Sequence, residues 1–276
     1  MSDRPSYLGV FLTFARNSLV RDMTYRANFL IECVTSLTWM LMNLGFYEVV
    51  FTYTESIGTA DEGWSKYQFF LFLATSILVN SLVQAFFMPN ADEFSELIRT
   101  GGLDFALLKP IDTQFLVSLQ RVVWSPLANV AVAAALGGYA LWKLDHQPPL
   151  LNVLLYPLYV GCGVAILYSL MMVMAAVTVY LGRNQSLYDF WFYITNFSRY
   201  PMEIYSGRIG TPLQYFFTYL VPVLIVINVP ARLLAKPFDQ GQWPLAGVAL
   251  LATLGSLVVS RWIFQRALGS YRSASS

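Results

Sequence analysis

From Gln147 to Gly182 the chain carries no Asp, Glu, Lys, Arg or His. A second uncharged run extends from Tyr67 to Met88. A helix needs about 20 predominantly apolar residues to cross a hydrocarbon core about 30 Å thick, and both runs reach that length. Composition agrees: 57% of residues are hydrophobic and only 12% charged, whereas soluble domains carry about 25% charged residues. That polar surface is too small to cover a water-soluble body, so part of the solvent is lipid. The 276 residues allow six spans with short loops and no separate soluble domain. The expected fold class is an all-α polytopic membrane protein with six transmembrane helices.

Residues 1–27 interleave Arg4, Arg16, Arg21 and Arg26 with aromatic and aliphatic residues, the pattern of an interfacial amphipathic helix facing anionic lipid heads. Spans are expected over 28–51, 67–88, 115–142, 150–181 and 242–260. Glu32 and Glu48 lie in the first of these. Their spacing sets them about 24 Å apart along a helix axis, near opposite interfaces, so neither carboxylate need sit at the costly midplane. The stretch from Arg183 to Lys236 allows two fifth spans. In one, 186–205 crosses and 209–234 forms broken, re-entrant helices in the outer leaflet. In the other, the stretch containing Pro212, Pro222 and Pro230 crosses; proline disrupts a helix interior, and such backbone must be shielded at membrane depth. The first arrangement is preferred. With the N-terminus inside, eleven Arg and Lys lie on the inner side and six on the outer, as the positive-inside rule requires, and both termini are cytoplasmic. Moving Arg199 and Arg208 inside, as the second arrangement does, would fit that rule slightly better.

Chemical motifs are sparse. There is no Gly-rich phosphate loop ending in Lys-Ser/Thr, so ATP is not bound here in that way. The one histidine, His146, falls in a loop. No midplane acid cluster suggests a proton relay, and no metal site or basic nucleic-acid tract is present. Cys33 and Cys162 lie in apolar stretches and read as small packing residues.

The run "NADEFSELIRTGGLDFALLKP", Asn90 to Pro110, is the most informative. Asn90 or Asp92 can cap a helix, Asp92, Glu93 and Glu96 suit its positive end, and Gly101 and Gly102 stop it. Phe94, Leu97 and Ile98 share one side, with Arg99 near the C-terminus. So short a helix is unstable in water alone. Its apolar side needs a surface: its own bundle, the membrane, or a partner's groove.

The segment "ELIRTGGLDFALLKPID", Glu96 to Asp112, resembles the stretch after the second membrane helix of type-2 (ABC-2-like) ABC exporter permeases, in particular their small bacterial six-helix subfamily. "SRYPMEIYSGRIGTPLQYFFTYLVPVLIVINVPARLL", Ser198 to Leu234, and the tail "FQRALGSYRSASS" are similar to the same subfamily. The resemblance implies a non-catalytic permease in the bacterial inner membrane. It would form a pathway with a second, identical or homologous, permease chain among membrane lipids, driven by two copies of a separate ABC ATPase that hold ATP and Mg. It implies a coupling helix over 91–101 (Asp92, Glu93, Phe94, Glu96, Leu97, Ile98, Arg99, with Gly101 and Gly102 as stop or hinge), and a smaller contact from Arg183 to Asp189. An outer gate would involve Tyr200, Pro201, Tyr205, Pro212, Tyr215, Phe216 and Pro222, residues that read equally as an interfacial aromatic belt. The residues by themselves also allow a stand-alone secondary transporter or channel, or a membrane enzyme or scaffold.

Overall fold

The computed structural model describes residues 6–59, 63–181, 185–237 and 243–271, with the backbone alone at 181 and 185–189. Twelve α-helices are described. Helix α1 (Tyr7–Thr24) turns at Tyr25 into α2 (Arg26–Tyr53). A small antiparallel pair, β1 (Ser56–Ile57) and β2 (Trp64–Ser65), leads into α3 (Lys66–Phe86). Helix α4 (Met88–Thr100) continues from α3 past Phe87, and α5 (Leu103–Leu107) and α6 (Thr113–Leu119) follow as short pieces. Then come α7 (Ala128–Lys143), α8 (Leu150–Leu181) and α9 (Gln185–Asn196). Helix α10 (Gly207–Tyr215) passes into a π-helical turn, Phe216–Leu220, before α11 (Leu224–Ala235) and α12 (Trp243–Ser270). Among the described residues, five helices are long and apolar enough to cross a membrane, or six if the bent pair 207–220 and 224–235 counts as one.

Helix α3 starts where the Gln68 side chain accepts from the Ser65 amide, 3.0 Å, the reciprocal half of a capping box. With α8 and α11 it builds the main core, around Trp64, Phe69, Phe72, Leu167, Ile225 and Ile227. The glutamates of α2 are partnered at opposite ends. Glu48 pairs with Lys66 beside the β pair, and Glu32 accepts from the Ser125 hydroxyl, 2.6 Å, at the α4 end.

Helices α8 and α12 run parallel. Tyr159 donates to the Ala246 carbonyl, 3.3 Å, and further along both helices Tyr180 donates to Ser270 Oγ, 3.4 Å. Consecutive parallel helices require the chain between them to return. It does so from α9, which follows the end of α8, to Glu203, whose Cβ would lie 3.3 Å from one added at Gly58 beside β1. Helix α9 is twelve residues long, about 18 Å, and the return is completed by two 3₁₀ turns, Phe197–Arg199 and Met202–Ile204.

The stretch expected as one helix over 115–142 is interrupted. After α6 the backbone leaves helical geometry at 121–123, and a 3₁₀ turn at Ser125–Leu127 precedes α7. Pro126 is the physical reason: it lacks an N–H and its ring clashes with the carbonyl four residues earlier. The freed amides are all taken up. Arg121 N donates to Asn90 Oδ1 (2.8 Å), Val122 N to Ser18 Oγ (3.1 Å), Val123 N to Ala85 O (2.9 Å) and Trp124 N to Asp22 Oδ2 (3.2 Å). Asn90 therefore is not a cap. The helix begins before it, with Pro89 in the first turn, a favoured place for proline. Its amide Nδ2 donates to Phe86 O and Arg121 O, both at 2.7 Å.

Asn90→Ala strips Arg121 of two bonds in a buried setting, so it is expected to destabilise by about 2 kcal/mol. Asn90→Asp keeps the acceptor for Arg121 N and is expected to lose less. Thermal unfolding in detergent measures both. An alanine variant melting like the surface control Lys109→Ala would show that the clamp contributes nothing.

Candidate functional site: the α4 elbow and the bent helix pair

Helix α4 turns its apolar side inward. Phe94 is 1% exposed and meets Phe264 of α12 with ring centroids 5.6 Å apart. Leu103, Leu116, Val117 and Met172 complete that cluster, with Leu97 and Ile98 partly buried at its rim. The opposite side is polar. Asp92, Glu96 and Arg99 are exposed and Glu93 is half-buried. Arg99 grips Glu96 through Nε (2.8 Å) and Nη2 (2.5 Å), an i, i+3 pair of small energetic weight on an open surface.

Gly101 makes the stop. Gly101 has φ +73° and its N–H donates to Ile98 O at 3.3 Å, a left-handed cap that glycine adopts without steric cost. A Cβ at Gly102 would come within 2.9 Å of Leu97 Cδ2. The chain then doubles back in α5, burying Leu103 and Ala106 and leaving Phe105 73% and Leu108 81% exposed. This apolar tip was not singled out from the sequence. The i, i+3 pair Leu103 and Ala106, once taken as the inward side, throws Phe105 and Leu108 outward.

Two clefts flank the elbow. Asp92, Glu93 and Glu96 line one of about 1070 Å³ with Glu32 of α2 and Arg121 of the unwound stretch. The other, about 920 Å³, lies where α6 meets α8 and α12. There Asp112 caps α6 by accepting from Phe115 N, 3.0 Å, and pairs with Arg261. The Arg261 hydrogen bonds hold the Asp112 carboxyl below its usual range.

The bent pair turns by 91°, with Pro222 in the turn, and α11 runs from there towards the start of α8, where Leu233 meets Asn152. The structure does not gather the expected gate residues into one plug. Tyr205 donates to Phe197 O (3.0 Å), and Phe197 stacks on Phe217 at 4.2 Å. Tyr215 and Phe216 lie on the exposed side, Tyr215 stacking on Tyr219 at 5.9 Å. Pro212 sits inside α10, Pro201 is buried, and Tyr200 is exposed. Arg183 lies outside the described residues, and Asp189 is placed on α9 by its backbone only.

The most buried charges were missed by sequence reasoning. Glu203 is 5% exposed; its Oε1 accepts from Arg232 Nη2 (2.5 Å) and Lys236 Nζ (3.4 Å). Next to it, Asn228 accepts from Met202 N (2.9 Å) and donates to Leu224 O (2.7 Å). Only the i, i+4 spacing of Arg232 and Lys236, in a stretch otherwise uncharged since Arg208, hinted that one acid would serve both.

Span-length apolar helices, wrapped around two aromatic cores and broken where polar side chains satisfy the backbone, define an all-α polytopic membrane protein. Residues 37–275 match the family described as ABC-2 family transporter protein. The chain belongs to that family and is an ABC-2-type permease, a multi-pass membrane component of a transporter. No curated protein and no solved structure matches it.

Phe94→Ala opens a hole in the elbow cluster and is expected to destabilise by about 3–5 kcal/mol. Phe105→Ala, on the exposed tip, is expected to stay within about 0.5 kcal/mol of the parent. Thermal unfolding of the two purified variants compares them directly, and equal losses would mean that the elbow is not seated on Phe264.

Proposed function

We propose that this chain lines the translocation pathway of an ATP-driven exporter. A second permease chain, identical or homologous, completes the pathway, and two copies of a separate ABC ATPase holding ATP and Mg sit beneath it. The observation that carries this reading is the elbow. Its apolar side is held by the bundle through Phe94 and Phe264, while Phe105 and Leu108 stand out from the far side. A rigidly seated helix with an apolar tip suits force transmission better than a loosely held one, because packed interfaces switch between discrete states instead of yielding. Glu96, Arg99 and the Phe105–Leu108 tip would meet the ATPase. Phe94, Leu97 and Ile98 would act from behind by fixing the helix, and Gly101 and Gly102 would set the elbow's angle. The segment from Arg183 to Asp189 would add a smaller contact.

In this reading the β end faces outward and the elbow lies in the cytoplasm of a bacterial cell, with both termini inside and the protein in the inner membrane. Helices α2, α3, α7, α8 and α12 cross. The return from 185 to 205 is the fifth crossing in chain order, and 207–235 dips in from outside as a re-entrant pair. The unbroken core along α8 and α11 supports such shielding of irregular backbone. The gate would be formed by the aromatic residues of 197–219.

Phe105→Ala with Leu108→Ala is expected to leave the permease folded and inserted but to lose the co-purifying ATPase. Capture in detergent with identification of bound subunits reads this, and full retention of the ATPase would exclude the tip as the docking point. For the topology, a cysteine at exposed Ser206 is expected to react with an impermeant maleimide from outside intact cells, and one at Thr100 only after lysis. Labelling of Thr100→Cys from outside would reverse the orientation and remove the basis for a cytoplasmic motor.

A further inference from the structure

The two limbs of the bent pair are held very differently. Helix α11 is buried along almost its whole length. Its Val226 carbonyl lies against Gly163 of α8, so close that a Cβ there would be 2.6 Å away. Its Leu233 carbonyl accepts from Asn152 Nδ2 at 2.9 Å, and Asn228 and Glu203 tie it to the return segment. The other limb, α10 with its π-helical turn, is seated through Phe217 and Thr218 of the turn and leaves Ile209, Tyr215, Tyr219 and Leu220 exposed. It begins at Gly207, whose φ of +80° and open surroundings let the chain pivot without steric penalty. It ends in the 91° turn, and π turns recur at functional breaks in helices.

We infer that Glu203 is the positioning residue of this region: it clamps α11 to the return segment as a fixed limb, so that any outer opening is a swing of Gly207–Leu220 alone. The electrostatics make this one carboxylate decisive. Arg232 stands in the last turn of α11, and Lys236 is the extended residue that ends it. Both point at Glu203 Oε1. Removing the acid does more than delete a contact, because it takes one carboxylate from two half-buried cations at once. Trp64, fully buried, lies under Lys236 at 4.9 Å from the ring centroid, so the clamp also reaches the start of α3. The location of the gate rests on the exporter reading above, but the difference between the limbs belongs to the fold and can be tested without a partner or a cargo.

Hydrogen–deuterium exchange of the full chain in lipid nanodiscs supplies the test. In the parent, the amides of 224–235 are expected to be protected to the level of α8, and those of 209–220 to exchange far faster. Glu203→Gln is expected to speed exchange in 224–235 about a hundredfold, the scale of a broken buried ion pair, with α3 and α8 below Trp64 unchanged. Glu203→Asp is expected to fall between the two. A role in global stability alone would accelerate all helices together, and that outcome overturns the inference. So would equal protection of the two limbs in the parent. Should Glu203→Gln fail to fold, the limb comparison in the parent and the graded response of Glu203→Asp still decide. A permease that co-purifies with no ATPase, with the limb difference intact, would refute the exporter reading and leave this one standing.

Discussion

The fold turns on four backbone amides. Where proline forbids a continuous third long helix, residues 121–124 are unwound at the end of the bundle that carries the elbow, and each N–H there finds an acceptor on α1, α3 or α4. An unpaired amide in such a place costs about 1–3 kcal/mol, so four together would exceed the margin by which many proteins stay folded. Satisfying them binds the amphipathic N-terminal helix, the end of α3, the elbow and the start of α7 into one unit. Ser125 extends the unit to α2 through Glu32, and Asp112 extends it to α12 through Arg261. That end of the bundle is therefore a clamped platform, and the elbow is mounted on it.

Much of this was legible beforehand because it follows from length, charge and period. The uncharged runs announced α3 and α8, and the spacing of Glu32 and Glu48 anticipated carboxylates at opposite ends of α2. The double glycine marked the end of α4. What escaped was whatever depends on partners distant in sequence. Pro126 was visible, but nothing in the local pattern said that Ser18, Asp22, Ala85 and Asn90 would receive the unwound backbone. Asn90 read as a cap because asparagine favours that role, whereas tertiary contacts used its amide to bind another strand of chain. Helical spacing showed that Phe94, Leu97 and Ile98 share a side; it could not say whether that side meets the bundle or a partner. The answer required Phe264, some 170 residues away.

The bent pair shows the same limit in another form. Its prolines signalled broken helix, and the preference for a return over 186–205 rested on which stretch proline spares. The parallel course of α8 and α12 requires a return between them by connectivity alone, whatever the membrane does. Glu203 was invisible as a clamp because its two cations lie about thirty residues downstream and an isolated glutamate near an interface reads as solvated. Burial changes its meaning: an acid that is nearly inaccessible must be paired to remain charged.

Both ends of the molecule obey one rule. Motion can be transmitted only by parts that do not deform, and it can be expressed only by parts that are not held. The elbow has an aromatic seat behind it and an apolar tip in front. At the other end, α11 has four independent attachments, to α8 twice and to the return segment twice, while α10 has chiefly its own neighbours. In the proposed exporter, a push on the tip would pass through Phe94 and Phe264 into α12, which runs beside α8 to the level of Tyr159 and Ala246. Helix α8 in turn carries Asn152 and Gly163, the two points where α11 is fastened. Displacement along this path would therefore reach the fixed limb as a rigid shift, and the limb that starts at Gly207 is where that shift would become a change of shape.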